Sequence, residues 1–397
     1  MALISLGTIN KYFIFALVGG IAKSIAGTLL YICNNELKHY PFMLGANSGL
    51  GMILSIIPYL YLKIKNREIL NQNIVINEKL VLNKKYYKNY NEKRLKLKKI
   101  VILLLCGFLD FFQKILVFLF SVSIDNNVWV FNIIFLNVFS ICILKTKLYK
   151  HQLISSSIMI FMGIILNILI LHEMTAEKIP ALLLSIFIEI IYSLSIVVGK
   201  YAIEYCFCSP FEVSFYEGVF AFVVNVIFLS IATNVPIYIE NMKFSDYNGE
   251  KYLDNFYAYL DVFRGKEIIM FIITMLSRWI FNLFALITIK NYTPSHVIFL
   301  LILGETQNAF FDLKETWLQI FAVIVYCFLL FLLLIFTEII ILNFWGLDKD
   351  TEKKIALRAL YSETDDLNNY EYDERSSQEN IEIEKGVEIN MINSIAR

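Results

Sequence analysis

Seven ionisable side chains lie inside stretches that are otherwise apolar: Lys23, Asp110, Lys114, Glu189, Glu217, Arg278 and Glu305. A charge at the centre of a bilayer costs ~2.5–3.5 kcal/mol on insertion scales, so it is kept only where it faces protein, water or a partner. Helical spacing says what each one faces. Lys23 shares a face with Ala16, Gly19 and Gly27, and Asp110 and Lys114 share one with Gly107 and Ser121. Glu189 aligns with Ser185, Tyr192 and Ser193; Arg278 with Thr274 and Asn282; Glu305 with Asn308 and Asp312. Polar stripes on five helices imply a central polar cavity that binds a solute, with no bond-making machinery around it. In that cavity Lys23, Lys114 and Arg278 meet an anionic solute, Asp110, Glu189 and Glu305 balance them or carry protons, and Asn282 lines the same wall. Glu217 lies about 6 residues inside its segment, or ~9 Å at 1.5 Å per residue, which assigns it to a gate near the surface. The structural alternative is internal pairing: Asp110 with Lys114 at i,i+4, and Lys23 with Glu189.

The elements that must hold these residues are membrane helices. Hydrophobic residues make up 58% of the 397-residue chain, against about 45–50% in a soluble protein of this size. Mean hydropathy is +0.62. A ~30 Å hydrocarbon core needs ~20 apolar residues per helix. Ten segments meet that: 12–32, 40–62, 99–122, 127–146, 151–171, 180–200, 211–232, 267–289, 294–312 and 316–343. The expected fold is therefore an all-α polytopic membrane protein with ten transmembrane helices. Lys and Arg set the orientation. With the N-terminus cytosolic, 22 basic residues flank the cytosolic ends and seven the opposite ends, which puts both termini in the cytosol. Residues 65–98 form a basic cytosolic loop, and 234–266 a non-cytosolic loop with room for a short amphipathic helix near Tyr252–Phe263. The acidic tail, 344–397, reads as disordered.

Two stretches echo each other. Pro41-Phe42 has Gly49 eight residues after the proline, and Pro210-Phe211 has Gly218 at the same spacing, 169 residues later. Ser123-Ile-Asp-Asn126 and Thr288-Ile-Lys-Asn291 add a second echo. An odd number of helices per half turns the second half over, so the chain reads as two inverted five-helix repeats, 1–178 and 179–343, with a site near the midplane between them.

Other chemistry has no motif in the sequence. The net charge is zero and the basic residues sit in loops, so no nucleic-acid partner is expected. The six cysteines form no metal motif, and Cys206-x-Cys208 has no partner pair. His39, His151, His172 and His296 fall at segment ends without clustering. There is no phosphate loop, nucleophile elbow or metalloprotease motif, so neither an enzyme nor a cofactor is expected.

Three stretches carry a resemblance. They are Lys200-Tyr201 followed by Ser209-Pro210 and Tyr216-Glu217-Gly218; Phe108-Leu-Asp110; and Phe281-Asn282 running through Ile289 to Thr293-Pro-Ser295. With the ten-segment layout, the sequence resembles the drug/metabolite transporter superfamily (EamA-type and nucleotide-sugar-transporter-like carriers). Within it, it is similar to the F branch of solute carrier family 35 and to chloroquine-resistance-type transporters. The resemblance implies a cavity ringed by helices one to four and six to nine. It implies carriage of a small polar or charged solute between cytosol and an organelle lumen, lysosome- or vacuole-like or Golgi. Two departures stand out. Loop 234–266 has no cysteines, and the fourth segment offers Asn132 and Asn137 where relatives often carry a charged or Gln-rich face. The expected function is a secondary transporter whose partners are a small solute, protons and the bilayer, with a homodimer left open. The alternative is a non-transporting receptor or scaffold of the same fold, and an intramembrane enzyme is the third reading.

Overall fold

Proline opens two long helices and sets where each begins, because its missing N–H is no loss at a helix start. In the computed structural model these are α2 (Pro41–Ile53) and α8 (Pro210–Asn234). The structure describes residues 4–6, 11–32, 40–72, 92–119, 130–171, 179–236, 245–247, 250–263, 265–305 and 316–342. By its contacts the chain divides into Met1–Leu342 and Asn343–Arg397. The second unit, which holds the expected disordered tail, lies outside the described residues, as does most of loop 65–98.

The fold is all-α. The remaining helices are α1 (Lys11–Ile32), α3 (Ile56–Gln72), α4 (Glu92–Leu119), α5 (Val130–Leu144), α6 (Lys150–Leu171) and α7 (Ile179–Tyr205). They continue with α9 (Phe256–Val262), α10 (Lys266–Asn291), a 3₁₀ turn (Pro294–Val297), α11 (Ile298–Glu305) and α12 (Thr316–Phe336). Two short antiparallel ribbons complete the described residues: Ile4–Leu6 with Ile340–Leu342, and Ser245–Tyr247 with Glu250–Tyr252. The short helix expected near Tyr252–Phe263 is α9.

Among the described residues, five helical stretches are long and apolar enough to cross a membrane: Pro41–Lys65, Lys96–Val117, Leu182–Tyr205, Pro210–Asn234 and Glu267–Asn291. Five shorter apolar helices accompany them: Ile14–Thr28, Phe131–Leu144, Lys150–Ile165, Pro294–Leu303 and Ile320–Phe336. Large apolar side chains such as Ile57, Phe161, Ile227 and Ile324 point outward, each more than half exposed. Such a surface suits lipid rather than water. The interior core runs through Leu136, Val197, Ile289, Leu300 and Leu329.

The second apolar segment is not one straight helix. It breaks at Leu54-Ser55, between α2 and α3. Pro58 is the cause, because its absent N–H leaves the Leu54 carbonyl without its helical donor and its ring crowds the preceding turn. Leu54 and Ser55 tighten to bond Gly51 and Met52 instead, at 3.0 Å each.

The two proline-led helices cross in close backbone contact. A Cβ on Gly49 would stand 2.7 Å from the Phe222 nitrogen and 2.9 Å from the Gly218 carbonyl oxygen. A Cβ on Gly218 would stand 2.7 Å from the Ile53 nitrogen and 2.8 Å from the Gly49 carbonyl oxygen. The two echoed glycines thus face each other across antiparallel helices, backbone against backbone. Many of the other packed pairs come in matched sets: α1 on α10 and α7 on α4; α1 on α11 and α7 on α5; α4 on α8 and α10 on α2; α5 on α6 and α11 on α12. The pair α6–α12, like α2–α8, is its own match.

At the Tyr40 end, α9 and the residues before it clamp the start of α2. The Asp254 carboxylate accepts from the Phe42 and Met43 N–H groups at 2.7 and 3.1 Å, satisfying donors left open at a helix start. Asn255 caps α9, and the Phe256 N–H donates to Thr233 at the end of α8. Tyr259 packs edge-on to Tyr40.

Asp254 is fully buried, and burial pushes its carboxyl up to about 7 despite the N–H groups that favour its charge. A carboxyl raised from its usual 3.8 holds the clamp at full strength below pH ~4 and weakens it progressively as pH rises to about 7. The effect amounts to at most about 4 kcal/mol. Hydrogen-exchange protection at the Phe42 and Met43 amides is expected to fall between pH 5 and 8, and Asp254→Asn to remove that fall. At the crossing, Gly49→Ala and Gly218→Ala meet backbone that cannot shift, so overpacking of about 1–3 kcal/mol outweighs the ~1 kcal/mol gain in helix propensity. Gly199→Ala meets only side-chain methyls of Leu286 and Ile289 at 3.4 and 3.5 Å. Melting midpoints in detergent are expected to drop for the first two and to hold or rise for Gly199→Ala.

Candidate functional site

Four helices meet around the glycine crossing, and each brings a polar side chain or sulfur to one place. Helix α4 carries Asp110 and Lys114 one turn apart, and their side chains pair at 2.8 Å. Helix α8 carries Glu217, beside the crossing glycine and only 3% exposed. Helix α10 carries Asn282, whose amide donates to the Glu217 carboxyl at 3.1 Å. Helix α2 brings Met52, fully buried, with its sulfur 2.8 Å from Asn282 Nδ2 and 3.6 Å from Lys114 Nζ. Arg278, one turn back from Asn282, lies within the field of Asp110. Glu217 feels both Asp110 and Lys114.

Depth along its own helix assigns Glu217 to a gate apart from the other charges. The side chain instead joins them, because Asn282 on a neighbouring helix reaches the same level. The Asp110–Lys114 pairing expected from i,i+4 spacing is present, and it sits inside the site rather than apart from it.

Toward the Lys99 end the cluster is covered by a layer of neutral donors. Trp279 Nε1 donates to Ser55 Oγ at 2.8 Å, and Ser55 Oγ donates to Ser214 Oγ at 2.9 Å. Both serines are fully buried. Beyond them Lys99 bridges α4 to Glu212 on α8 at 2.7 Å. On the other side of the crossing, the Asn225 side chain lies directly over Gly45. The contacts are nearly matched. Ser214 lies four residues before Gly218 and meets Ser55, six after Gly49. Gly45 lies four before Gly49 and meets Asn225, seven after Gly218.

The remaining predicted residues are placed elsewhere. Glu189 belongs to a second polar group on α5 and α7: the Asn132 amide donates to its carboxylate, and Ser193 Oγ donates to Asn132 Oδ1 at 2.7 Å. Asn137 accepts from Ser295 at 2.6 Å. Both asparagines noted as departures in the fourth segment are thus used in joining helices. Lys23 on α1 stands over the Phe281 ring at 5.7 Å, next to Asn282 in sequence. Glu305 closes α11; only its backbone is described, and Asn308 and Asp312 lie outside the described residues, as do His39 and His172.

Met52, Ser55, Ser214 and Trp279 escaped sequence reasoning. Met52 and Trp279 carry no signal, being ordinary residues of apolar segments. Ser55 had one: it stands three residues before Pro58, where a helix break exposes side chains to new partners. No group of three or more His, Cys, Asp or Glu able to hold a metal occurs among the described residues. No protein-family model matches this sequence, and no curated protein matches it at a significant level.

The ion pair inside the cluster generates a thermodynamic test. Removing one partner of a buried pair leaves a charge without compensation and costs about 3–5 kcal/mol. Asp110→Asn is expected to cost that much in detergent denaturation. Adding Lys114→Gln is expected to recover part of it, with a coupling of about 1–3 kcal/mol. Recovery stays incomplete because Arg278 also leans on Asp110.

Proposed function

We propose that this chain is a secondary transporter of the drug/metabolite type, moving a small polar or charged metabolite across an endomembrane by alternating access. The observation that carries the reading is the enclosed cluster of Asp110, Lys114, Glu217, Arg278 and Asn282 at the crossing of α2 and α8. Buried charges are costly, and a bundle that needed only stability would do as well with apolar side chains there. A group of mixed charge between crossing helices is what a membrane protein needs to hold a polar solute away from water.

Ten spans in two inverted repeats fit the matched helix pairs. Exchanging α1–α6 with α7–α12 leaves the set of packed pairs nearly unchanged, and the α2–α8 contact maps onto itself. In this reading the glycine crossing is the fulcrum. Ser55–Ser214 closes the cytosolic side, and Asn225 over Gly45 closes the lumenal side. Rocking of the halves loosens one contact while tightening the other. In this reading both termini face the cytosol and the Asp254 clamp faces the lumen, an orientation that the excess of Lys and Arg in the loops of one side supports. Glu189, Lys23 and Glu305 belong to the surrounding wall, and the chain is a carrier rather than an enzyme.

The direct test is flux. Purified full-length protein in liposomes is challenged with a defined mixture of amino acids, monocarboxylates and dicarboxylates, sugar phosphates, nucleotide sugars and organic cations, and uptake is read by mass spectrometry. At least one class is expected to enter above empty liposomes. Glu217→Gln with Asn282→Ala is expected to cut that flux at least tenfold, and truncation after Leu342 to leave it in place. A folded protein that moves no class, with a tail indispensable in cells, would favour a receptor or scaffold.

A further inference from the structure

Beyond the Ser55–Ser214 layer, α3 and α4 both rest on α8 and both carry lysine toward the same end. Tyr59 follows Ser55 by one turn of α3, its N–H donating to the Ser55 carbonyl at 3.1 Å. Lys63 follows by another turn and stands over the Tyr59 ring at 5.7 Å. On α4, Lys99 meets Glu212 of α8 at 2.7 Å, two residues before Ser214. Tyr59 lies within the field of Lys99, Glu212 and Tyr216, which brings the three helices together at this level. Each of α3 and α4 packs on α8, and among the described residues they share no comparable contact with one another. A cleft is left between them. Tyr59 and Lys63 form one wall, Lys99 the other, and Glu212 and Tyr216 the floor.

The surroundings of this cleft are apolar below and cationic above. Ile57, Leu60 and Ile64 of α3 and Leu97, Ile100 and Leu104 of α4 are all exposed, as is Tyr216. On spanning helices such a surface is covered by acyl chains. Past it, α3 beyond Tyr59, α4 up to Lys99 and the first turn of α8 hold eight basic residues against three acidic ones, Glu68, Glu92 and Glu212. Any ion pair among them removes one charge of each sign, so the positive surplus stands however they pair. Lys63 is exposed, and its ammonium makes no hydrogen bond or ion pair with the described residues. Lys99 has three N–H donors, and one carboxylate does not use them all.

We propose that the cleft between α3 and α4 seats an anionic phospholipid, its headgroup between Lys63 and Lys99 and its acyl chains along the exposed apolar faces. Basic clusters at the end of a membrane helix attract anionic headgroups, and here the cations come from two helices on facing walls. A zwitterionic lipid brings its own cation to the same place and gains less. Tyr59 and Tyr216 set the depth, because phenol rings settle where hydrocarbon gives way to headgroups. A soluble phosphate meets the same lysines but forgoes the apolar surface, and Glu212 opposes it. The bilayer around the spans is all that such a lipid requires, whatever the bundle carries.

Native mass spectrometry of the purified full-length protein, in detergent with equimolar phosphatidylserine and phosphatidylcholine of the same acyl chains, tests this. The first lipid retained is expected to be phosphatidylserine by at least fivefold. Lys63→Gln is expected to cut that preference at least threefold, and Lys63→Arg to keep it. Lys147→Gln removes the same charge from an exposed position between α5 and α6 and is expected to leave the preference unchanged. Excess glycerophosphoserine, the headgroup without chains, is expected to displace nothing. Melting curves establish that each variant is folded. Equal retention of the two lipids overturns the proposal, as does a preference that survives in folded Lys63→Gln. An equal loss in Lys147→Gln reduces the effect to general surface charge and overturns the site. Displacement by glycerophosphoserine makes it a site for a soluble anion and overturns the lipid.

Discussion

The backbone contact between Gly49 and Gly218 is the constraint on which the rest of this bundle depends. Two helices approach that closely only where neither has a side chain in the way, and van der Waals contact over such a seam is a main source of helix association in lipid. The polar cluster is a consequence of the approach. Met52 lies three residues beyond Gly49, and Glu217 immediately precedes Gly218. Asp110, Lys114 and Asn282 come from the helices that flank the seam on either side. A wider crossing would separate the sulfur, the amide and the carboxyl and admit solvent or lipid between them.

Around that seam the bundle resolves a conflict between apolar packing and polar chemistry. Most polar side chains described inside it are spent on other protein groups. Asn132, Ser193 and Glu189 tie α5 to α7, Asn137 and Ser295 tie α5 to the turn before α11, and Ser55, Ser214 and Trp279 tie three helices at the break in the second segment. These bonds are largely neutral. Charge is concentrated at the crossing, where four helices can surround it. The seam is gripped at both ends: by Lys99 with Glu212 at one, and by Asp254 with the start of α2 at the other.

Much of this was legible in the sequence. The apolar segments could be read because lipid demands long, unbroken helices, and each of the ten carries helix among the described residues. The charges stood out because they are costly in such segments. The i,i+4 pairing of Asp110 with Lys114 is local and follows from helical geometry alone. The Pro-Phe echo marked the two helices that cross, though it did not say that they touch each other.

What the amino-acid order could not state is which side chains from different helices come to one level. Depth along a single helix put Glu217 near the surface and away from the other charges. The partner on α10 that brings it into the cluster lies 65 residues away, and its reach depends on how the helices pack. Met52 is the sharper case. Nothing in its chemical type marks it, and its place between Lys114 and Asn282 arises from three helices converging. Sequence determined which segments are helical and which residues are too polar for lipid, because those follow from local geometry and solvation. Tertiary structure decided which of them face one another, because interhelical contact depends on crossing points, and here the crossing point is set by two glycines that leave room for it.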